Sequence, residues 1–349
     1  PGPAPWQSAL IIAQPPRIPQ AVGGMAAAEG IHVDWHATEQ AQAAEHQLDM
    51  SHAHTPPVVG DIVGQRGTVV CLDKAMLSDA ADLLILHDRT AAGVVDEQGS
   101  LLGVLTENDL VLAYASGISA NSTVASWLRS GQARLAASEL PELTVRPSTT
   151  LLEAAVRMRA HVNREHACHH LVVSTEDGEF YGILSSLDLA RALCGMGVES
   201  EVLEKVRRTA ILGIMKHRKE LPSCNHAASL GEGLSKMVRH HQNCVLVTSG
   251  FTTDAQALGI ITPRDALRAF SEHVPLETHL GHWLRGLQTR WEPRRIVMNT
   301  SVLEAAQAMT TGFVHHLVVV SPFYSEVVGI ISSLDMARAI AAEEDIFMA

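Results

Sequence analysis

Aromatic side chains are scarce in this sequence, only 4% of 349 residues, which leaves few stacking platforms for bases or sugars. Basic residues are in deficit: 26 Lys and Arg stand against 38 Asp and Glu, a formal net charge of −12. A chain-wide partnership with nucleic acid or an anionic membrane needs the opposite balance, so neither partner is expected. Only a local cationic pocket remains open. No apolar run approaches the ~18–20 residues of a membrane span. The five cysteines, Cys71, Cys168, Cys194, Cys224 and Cys244, are scattered, with no C-x-x-C pair. That pattern excludes a disulfide framework or a zinc ribbon and points to an intracellular reducing compartment. Cytoplasm and an organelle interior reached after loss of a targeting peptide both fit a chain that starts at Pro1. Catalytic signatures are missing as well: there is no G-x-S-x-G, H-E-x-x-H or Walker phosphate loop, and no enzyme activity is expected.

Hydrophobic residues make up 46% of the chain, ample for sizeable cores. Residues 1–57 are the exception. Pro1, Pro3, Pro5, Pro15, Pro16 and Pro19 interrupt regular structure, and large apolar residues are few across Ala37 to Gln47. An extended, irregular tail is expected, docked on its own body or on a partner. Its histidines (His32, His36, His46, His52, His54) have no third strong ligand at fixed geometry, so no metal site is expected.

The body is repetitive. Gly-apolar-apolar-Thr/Ser-x-x-Asp occurs four times: Gly103 to Thr106 with Asp109, Gly182 to Ser185 with Asp188, Gly259 to Thr262 with Asp265, and Gly329 to Ser332 with Asp335. The aspartates are spaced by 79, 77 and 70 residues. Copy one aligns with copy three without a gap, Trp127-Leu128-Arg129 falling on Trp283-Leu284-Arg285. Copy two aligns with copy four, His169-His170-Leu171 falling on His315-His316-Leu317. A two-repeat module has therefore been duplicated whole. The expected layout is a first module over 58–197 (repeats 58–123 and 124–197) and a linker helix over 198–212. A second module follows over 213–342 (repeats 213–276 and 277–342), then a C-terminal tail over 343–349.

Each repeat reads as an α/β unit. Capping boxes open a first helix at Thr150/Glu153, Ser229/Glu232 and Ser301/Glu304, where hydroxyl and carboxylate satisfy each other's orphan amides. Two short apolar strands follow, Leu171–Val173 and Tyr181–Leu184 in copy two, split by the turn Glu176-Asp177-Gly178. A second helix starts at the Ser/Thr and runs through the Asp.

These residues resemble the CBS (cystathionine beta-synthase type) domain family, over roughly 57–342. The signature, the Glu153-Ala154-Ala155 and Glu304-Ala305-Ala306 helices and the module duplication carry the resemblance. It implies an α/β fold of four CBS repeats (helix, short strands, helix) paired into two pseudo-two-fold Bateman modules. It also implies an adenosine-containing ligand, AMP, ADP, ATP or S-adenosylmethionine, in the clefts between paired repeats, with no required cofactor. Asp109, Asp188, Asp265 and Asp335 would hold riboses, since a carboxylate accepts from both ribose hydroxyls. Thr106, Ser185, Thr262 and Ser332 would approach phosphates beside free helix-start amides. The same residues serve equally to start the helix, with no ligand at all.

The residues inside the signature rank the copies. Arg264 gives copy three a cation for a phosphate, whereas Glu107 puts a like charge at the site in copy one. Asp265 is thus the preferred ribose ligand and Asp109 the least suited. One member of each pair, His169-His170 and His315-His316, is expected to face the cleft and meet phosphate when protonated, its neighbour pointing away. The expected function is a regulatory sensor whose output passes to other subunits or to self-association. The alternative is a structural subunit of a large assembly, with degenerate ligand sites and a partner-docked N-terminal tail.

Overall fold

The computed structural model describes residues 10–13, 57–133, 135–136, 140–160, 168–195, 201–250, 255–286, 294–324 and 326–347. The tail histidines and the module boundary at 196–200 lie outside the described residues. Each repeat is built on three strands flanked by two helices, a mixed α/β architecture, and added strands extend the sheet of repeat one to five and that of repeat four to four.

Repeat one contains β2 (Thr68–Leu72), α2 (Leu77–Leu86), β3 (Ala91–Val95), β4 (Leu101–Thr106) and α3 (Glu107–Ala115). It is preceded by α1 (Val59–Arg66) and followed by α4 (Val124–Arg129) and β5 (Leu135–Ala136). Repeat two contains β6 (Thr144–Val145), α5 (Leu151–Ala160), β7 (His170–Ser174), β8 (Phe180–Ser185) and α6 (Ser186–Gly195). The linker helix α7 (Glu201–Arg208) and β9 (Lys216–His217) lead to repeat three. That repeat has β10 (Ser223–Asn225), α8 (Leu230–Arg239), β11 (Val245–Thr248), β12 (Ala257–Ile261) and α9 (Pro263–Ser271), then α10 (Leu280–Gly286). Repeat four contains β13 (Arg295–Val297), α11 (Val302–Gly312), β14 (His316–Val320), β15 (Val327–Ser332) and α12 (Ser333–Phe347).

In every repeat the first strand pairs parallel with the second, and the second antiparallel with the third. The first strand is an addition to the two expected from the apolar pattern; at two to five residues it is too short for alternation to reveal. The capping boxes at Thr150/Glu153 and Ser301/Glu304 form reciprocally. The third is only half made. Ser229 Oγ accepts from Glu232 N at 3.1 Å, but the Glu232 carboxylate turns to Lys236, 3.5 Å away. Signature glycines permit close approach: a Cβ at Gly182 would overlap Val63, and one at Gly329 would overlap the Lys216 carbonyl oxygen.

The tail is not irregular throughout. Leu10–Ala13 forms β1, antiparallel to β2, with Leu10 opposite Cys71 and Ala13 opposite Thr68. This short stretch docks on its own body.

Two kinds of interface build the molecule. Sheets join the repeats within a module, through Ala91, Val104 and Val172 in the first and Leu246, Val318 and Val327 in the second. Helices join the modules to each other. Repeat one packs on repeat three, with Leu84, Leu110, Leu234 and Leu267 in one core. Repeat two packs on repeat four, with Met158, Leu189, Met309 and Ile340 in the other. The paired alanines Ala154-Ala155 and Ala305-Ala306 are fully buried there, because small side chains allow α5 to meet α12 and α11 to meet α6 closely. Leu203 and Val206 of α7 are buried in the same core, so the linker helix is an integral part of the second interface.

Candidate functional site

The signature builds one local structure four times. Thr106, Ser185, Thr262 and Ser332 end a strand and precede a helix, and each hydroxyl donates to Oδ2 of its aspartate at 2.5–2.7 Å. The backbone amide of the same Ser or Thr donates to that oxygen too, at 2.8–2.9 Å. Helix capping therefore operates in all four copies.

Not every amide at these helix starts is free. The N–H groups of Glu107, Ser186 and Ser333 donate to the carbonyls of Thr90, His169 and His315 at 2.9–3.0 Å. The corresponding residue in repeat three is Pro263, which has no N–H. The aspartate amides in copies one, two and four are held by the capping hydroxyls.

What separates the copies is space. Asp265, Thr262 and Arg264 line a cavity of about 500 Å³ at the centre of the molecule, to which all four repeats contribute. That volume is in the range of small-molecule sites, ~300–1,000 Å³. Asp188 and Ser185 line a cleft of about 40 Å³, and Asp335 and Ser332 one of about 20 Å³, although Ser332 also reaches the central cavity. Asp109 is wholly buried, with Thr106 beside it. The second carboxylate oxygen follows the same division. Asp188 Oδ1 is paired with Arg191 at 2.7 Å, and Asp335 Oδ1 with Arg338 at 3.3 Å. Asp265 Oδ1 accepts no hydrogen bond from the described residues. Burial raises the Asp265 pKa, opposed by the Thr262 hydrogen bonds and by Arg268 and Arg264.

Arg264, expected as a phosphate cation, faces the cavity already engaged. Its Nη1 donates to Leu84 O at 2.9 Å and its Nη2 to Arg89 O at 3.0 Å, while Nε lies 2.9 Å from Glu107 Oε1. The like charge expected to spoil copy one is thus matched by the cation of copy three.

The histidine pairs divide between the side clefts, His170 and His315 lining the one beside Asp188 and His169 and His316 the one beside Asp335, but both members of each pair also reach the central cavity. His169, His170, His315 and His316 all line the central cavity. They sit where their strands begin, at the rim of the space shared by the four repeats. His170 Nε2 is 2.8 Å from Thr90 Oγ1, and His169 Nε2 is 2.7 Å from Asn243 Nδ2. Burial pushes the pKa of His170 and His316 down to about 4 and those of His169 and His315 well below the usual imidazole value. All four are therefore neutral near pH 7. Asn108 and Arg268 also face this cavity, as do Arg294 and Phe313. Arg294 and Phe313 went unnoticed in the sequence because neither belongs to a repeated motif. Among the described residues no cluster of His, Cys, Asp and Glu has the makings of a metal site. Lys74 and Arg146 lie on the surface, with Glu97 and Glu176 respectively.

Four repeats of this build, with Ser/Thr-x-x-Asp at each second helix, define a protein of tandem α/β repeats paired into modules. The CBS domain family model matches residues 53–116, 137–195, 213–272 and 290–342, and the chain belongs to the CBS-domain family. Domains of this family typically bind adenosine ligands. No curated protein sequence matches the chain. Among solved structures, it is similar to MJ1225 from Methanocaldococcus jannaschii, described as an archaeal homologue of the AMPK gamma chain. The TM-score is 0.61 at 15% identity, covering 80% of this chain and 99% of that one. An uncharacterized conserved protein from Pyrococcus horikoshii gives a TM-score of 0.50 at 16% identity, covering 81% and 99%. The CBS domain protein PAE2072 from Pyrobaculum aerophilum, complexed with AMP, gives 0.33 at 20% identity, covering 40% and 99%. No helix among the described residues is long and apolar enough to cross a membrane.

Proposed function

We propose that the protein is a non-catalytic sensor that binds an adenosine-containing ligand in the central cavity, with the ribose on Asp265. CBS-domain proteins are generally regulatory rather than catalytic. The observation that carries the reading is that Asp265, alone of the four signature aspartates, lines a cavity of ligand size and keeps a carboxylate oxygen available. The guanidinium groups of Arg264, Arg268 and Arg294 favour phosphate-bearing AMP, ADP or ATP over cationic S-adenosylmethionine, and the neutral imidazoles add hydrogen-bonding groups rather than charge. A ligand touching all four repeats changes their arrangement only by binding one arrangement more tightly than another, and the output passes to a second polypeptide or to self-association.

Asp188 and Asp335 would need their clefts to open before a ligand enters. Those closed clefts, with Asp109 wholly buried, also suit a structural subunit with degenerate sites, the second reading. The seat of β1 on its own sheet favours the sensor over an assembly held by the whole tail.

Calorimetric titration with AMP, ATP and S-adenosylmethionine separates the two. Saturable heat with AMP or ATP, weakened at least ~10-fold by Asp265→Ala, is expected for the sensor. No heat and no thermal shift at millimolar ligand count for the structural subunit.

A further inference from the structure

The four second helices start around the central cavity, and their first residues meet in pairs. Between repeats two and four the contact is neutral, with Ser186 Oγ 2.8 Å from Ser333 Oγ. Between repeats one and three a charge pair takes its place: Glu107 opens α3, and Arg264 is the second residue of α9. Glu107 is only 8% exposed, and its Oε1 meets Arg264 Nε at 2.9 Å as an ion pair without hydrogen-bond alignment. A buried charge pair does little for stability that apolar or neutral polar contacts cannot do, and the serine pair fills the equivalent place without charge. Burial raises the Glu107 pKa, Arg264 opposes that rise, and Asp265 adds to it. The wall of the cavity thus holds a fixed anion beside the guanidinium that a ligand phosphate would seek.

We propose that Glu107 is a built-in charge filter: it occupies Arg264 in competition with the ligand's phosphates and penalises the ligand more as its phosphate charge rises. The inference rests on the reading of the cavity as a nucleotide site. Two consequences follow from the geometry. A phosphate that takes Arg264 leaves Glu107 as a like charge at short range, so triphosphate suffers more than monophosphate and a neutral nucleoside not at all. Arg264 also clamps Leu84 O in the last turn of α2 and Arg89 O just beyond it, where Arg89 N itself donates to Leu84 O at 2.9 Å. Handing Arg264 to a phosphate releases that segment of the first module.

The test compares the wild-type chain with Glu107→Gln, near-isosteric and still able to accept from Arg264, in titrations with adenosine, AMP and ATP. The filter requires ATP to bind about tenfold tighter in the variant, AMP about threefold tighter, and adenosine within about twofold of wild type. Unchanged or weaker ATP binding by the variant overturns it. A wild-type chain that binds none of the three refutes the nucleotide reading itself, and the filter falls with it. Hydrogen exchange on the wild type gives a second measurement that stands if the variant does not fold. ATP is expected to speed amide exchange over residues 84–90, and exchange that is unchanged or slowed there overturns the proposal.

Discussion

Ser186 Oγ and Ser333 Oγ lie 2.8 Å apart, fully enclosed, although 147 residues separate them in the chain. They occupy matching positions in repeats two and four, so the hydrogen bond marks the pseudo-two-fold axis between the modules. Replacing Ser186 by Ala leaves the Ser333 hydroxyl with only the long 3.4 Å contact to His315 and is expected to cost about 1–2 kcal/mol. The Ser186→Ala/Ser333→Ala double variant should cost less than the sum of the two single changes by about 0.5–1 kcal/mol. Urea unfolding of the three variants measures this; strict additivity contradicts the pairing.

Asp109 and Asp265 occupy the same place in their repeats but different surroundings. Asp109 is completely buried and accepts from Thr106 N and Oγ1, so Asp109→Ala is expected to destabilise by about 2 kcal/mol. Nucleotide affinity should be unchanged. Asp265→Ala should lower affinity at least ~10-fold, with a smaller loss of stability. Equal affinity losses in the two variants would sink the distinction between their sites.

The buried imidazoles make stability pH-dependent. His170 and His316 have pKa values of about 4 in the fold, against an ordinary 6.5. The unfolded chain therefore takes up protons first as the pH drops. Stability is complete above about 6.5 and is lost as the pH falls from there towards 4, by up to ~1.4 kcal/mol per pH unit for each histidine. Glu107 and Asp265, raised by burial, act in the opposite sense at the acid end, but two carboxylates do not offset four lowered imidazoles. Thermal midpoints recorded from pH 7.5 to 5 should fall steadily; a flat profile contradicts the burial of these rings.

The same neutral imidazoles should respond to the ligand. A phosphate placed among His169, His315 and His316 favours their charged forms, so nucleotide binding near pH 6 should draw protons from solution. Titration heats in buffers of different ionisation enthalpy should then differ, with a slope of about half a proton or more. Buffer-independent heats would place the phosphates elsewhere.

Much of this molecule is legible residue by residue. The repeats, the strand–helix junctions and the caps at Thr150/Glu153 and Ser301/Glu304 depend on partners three residues apart, and short-range partners are visible in a linear string. The partial failure at Ser229/Glu232 has a local cause as well, since Lys236 one turn on attracts the Glu232 carboxylate. That Arg264 is already held by Glu107 was not legible, because Glu107 lies in another module. The histidine pairs diverge into different side clefts, but that both members also border one central cavity depends on all four repeats and is not visible in the pairs themselves.

The sequence by itself determined the duplicated module, the α/β unit and the Thr/Ser-x-x-Asp geometry, all of them products of local hydrogen bonding and apolar spacing. Only the tertiary structure decided which copies are open. The packing of the four repeats together leaves Asp109 buried, only about 40 and 20 Å³ beside Asp188 and Asp335, and about 500 Å³ beside Asp265. Cavity volume is what remains after distant side chains have packed, and no single repeat contains that information.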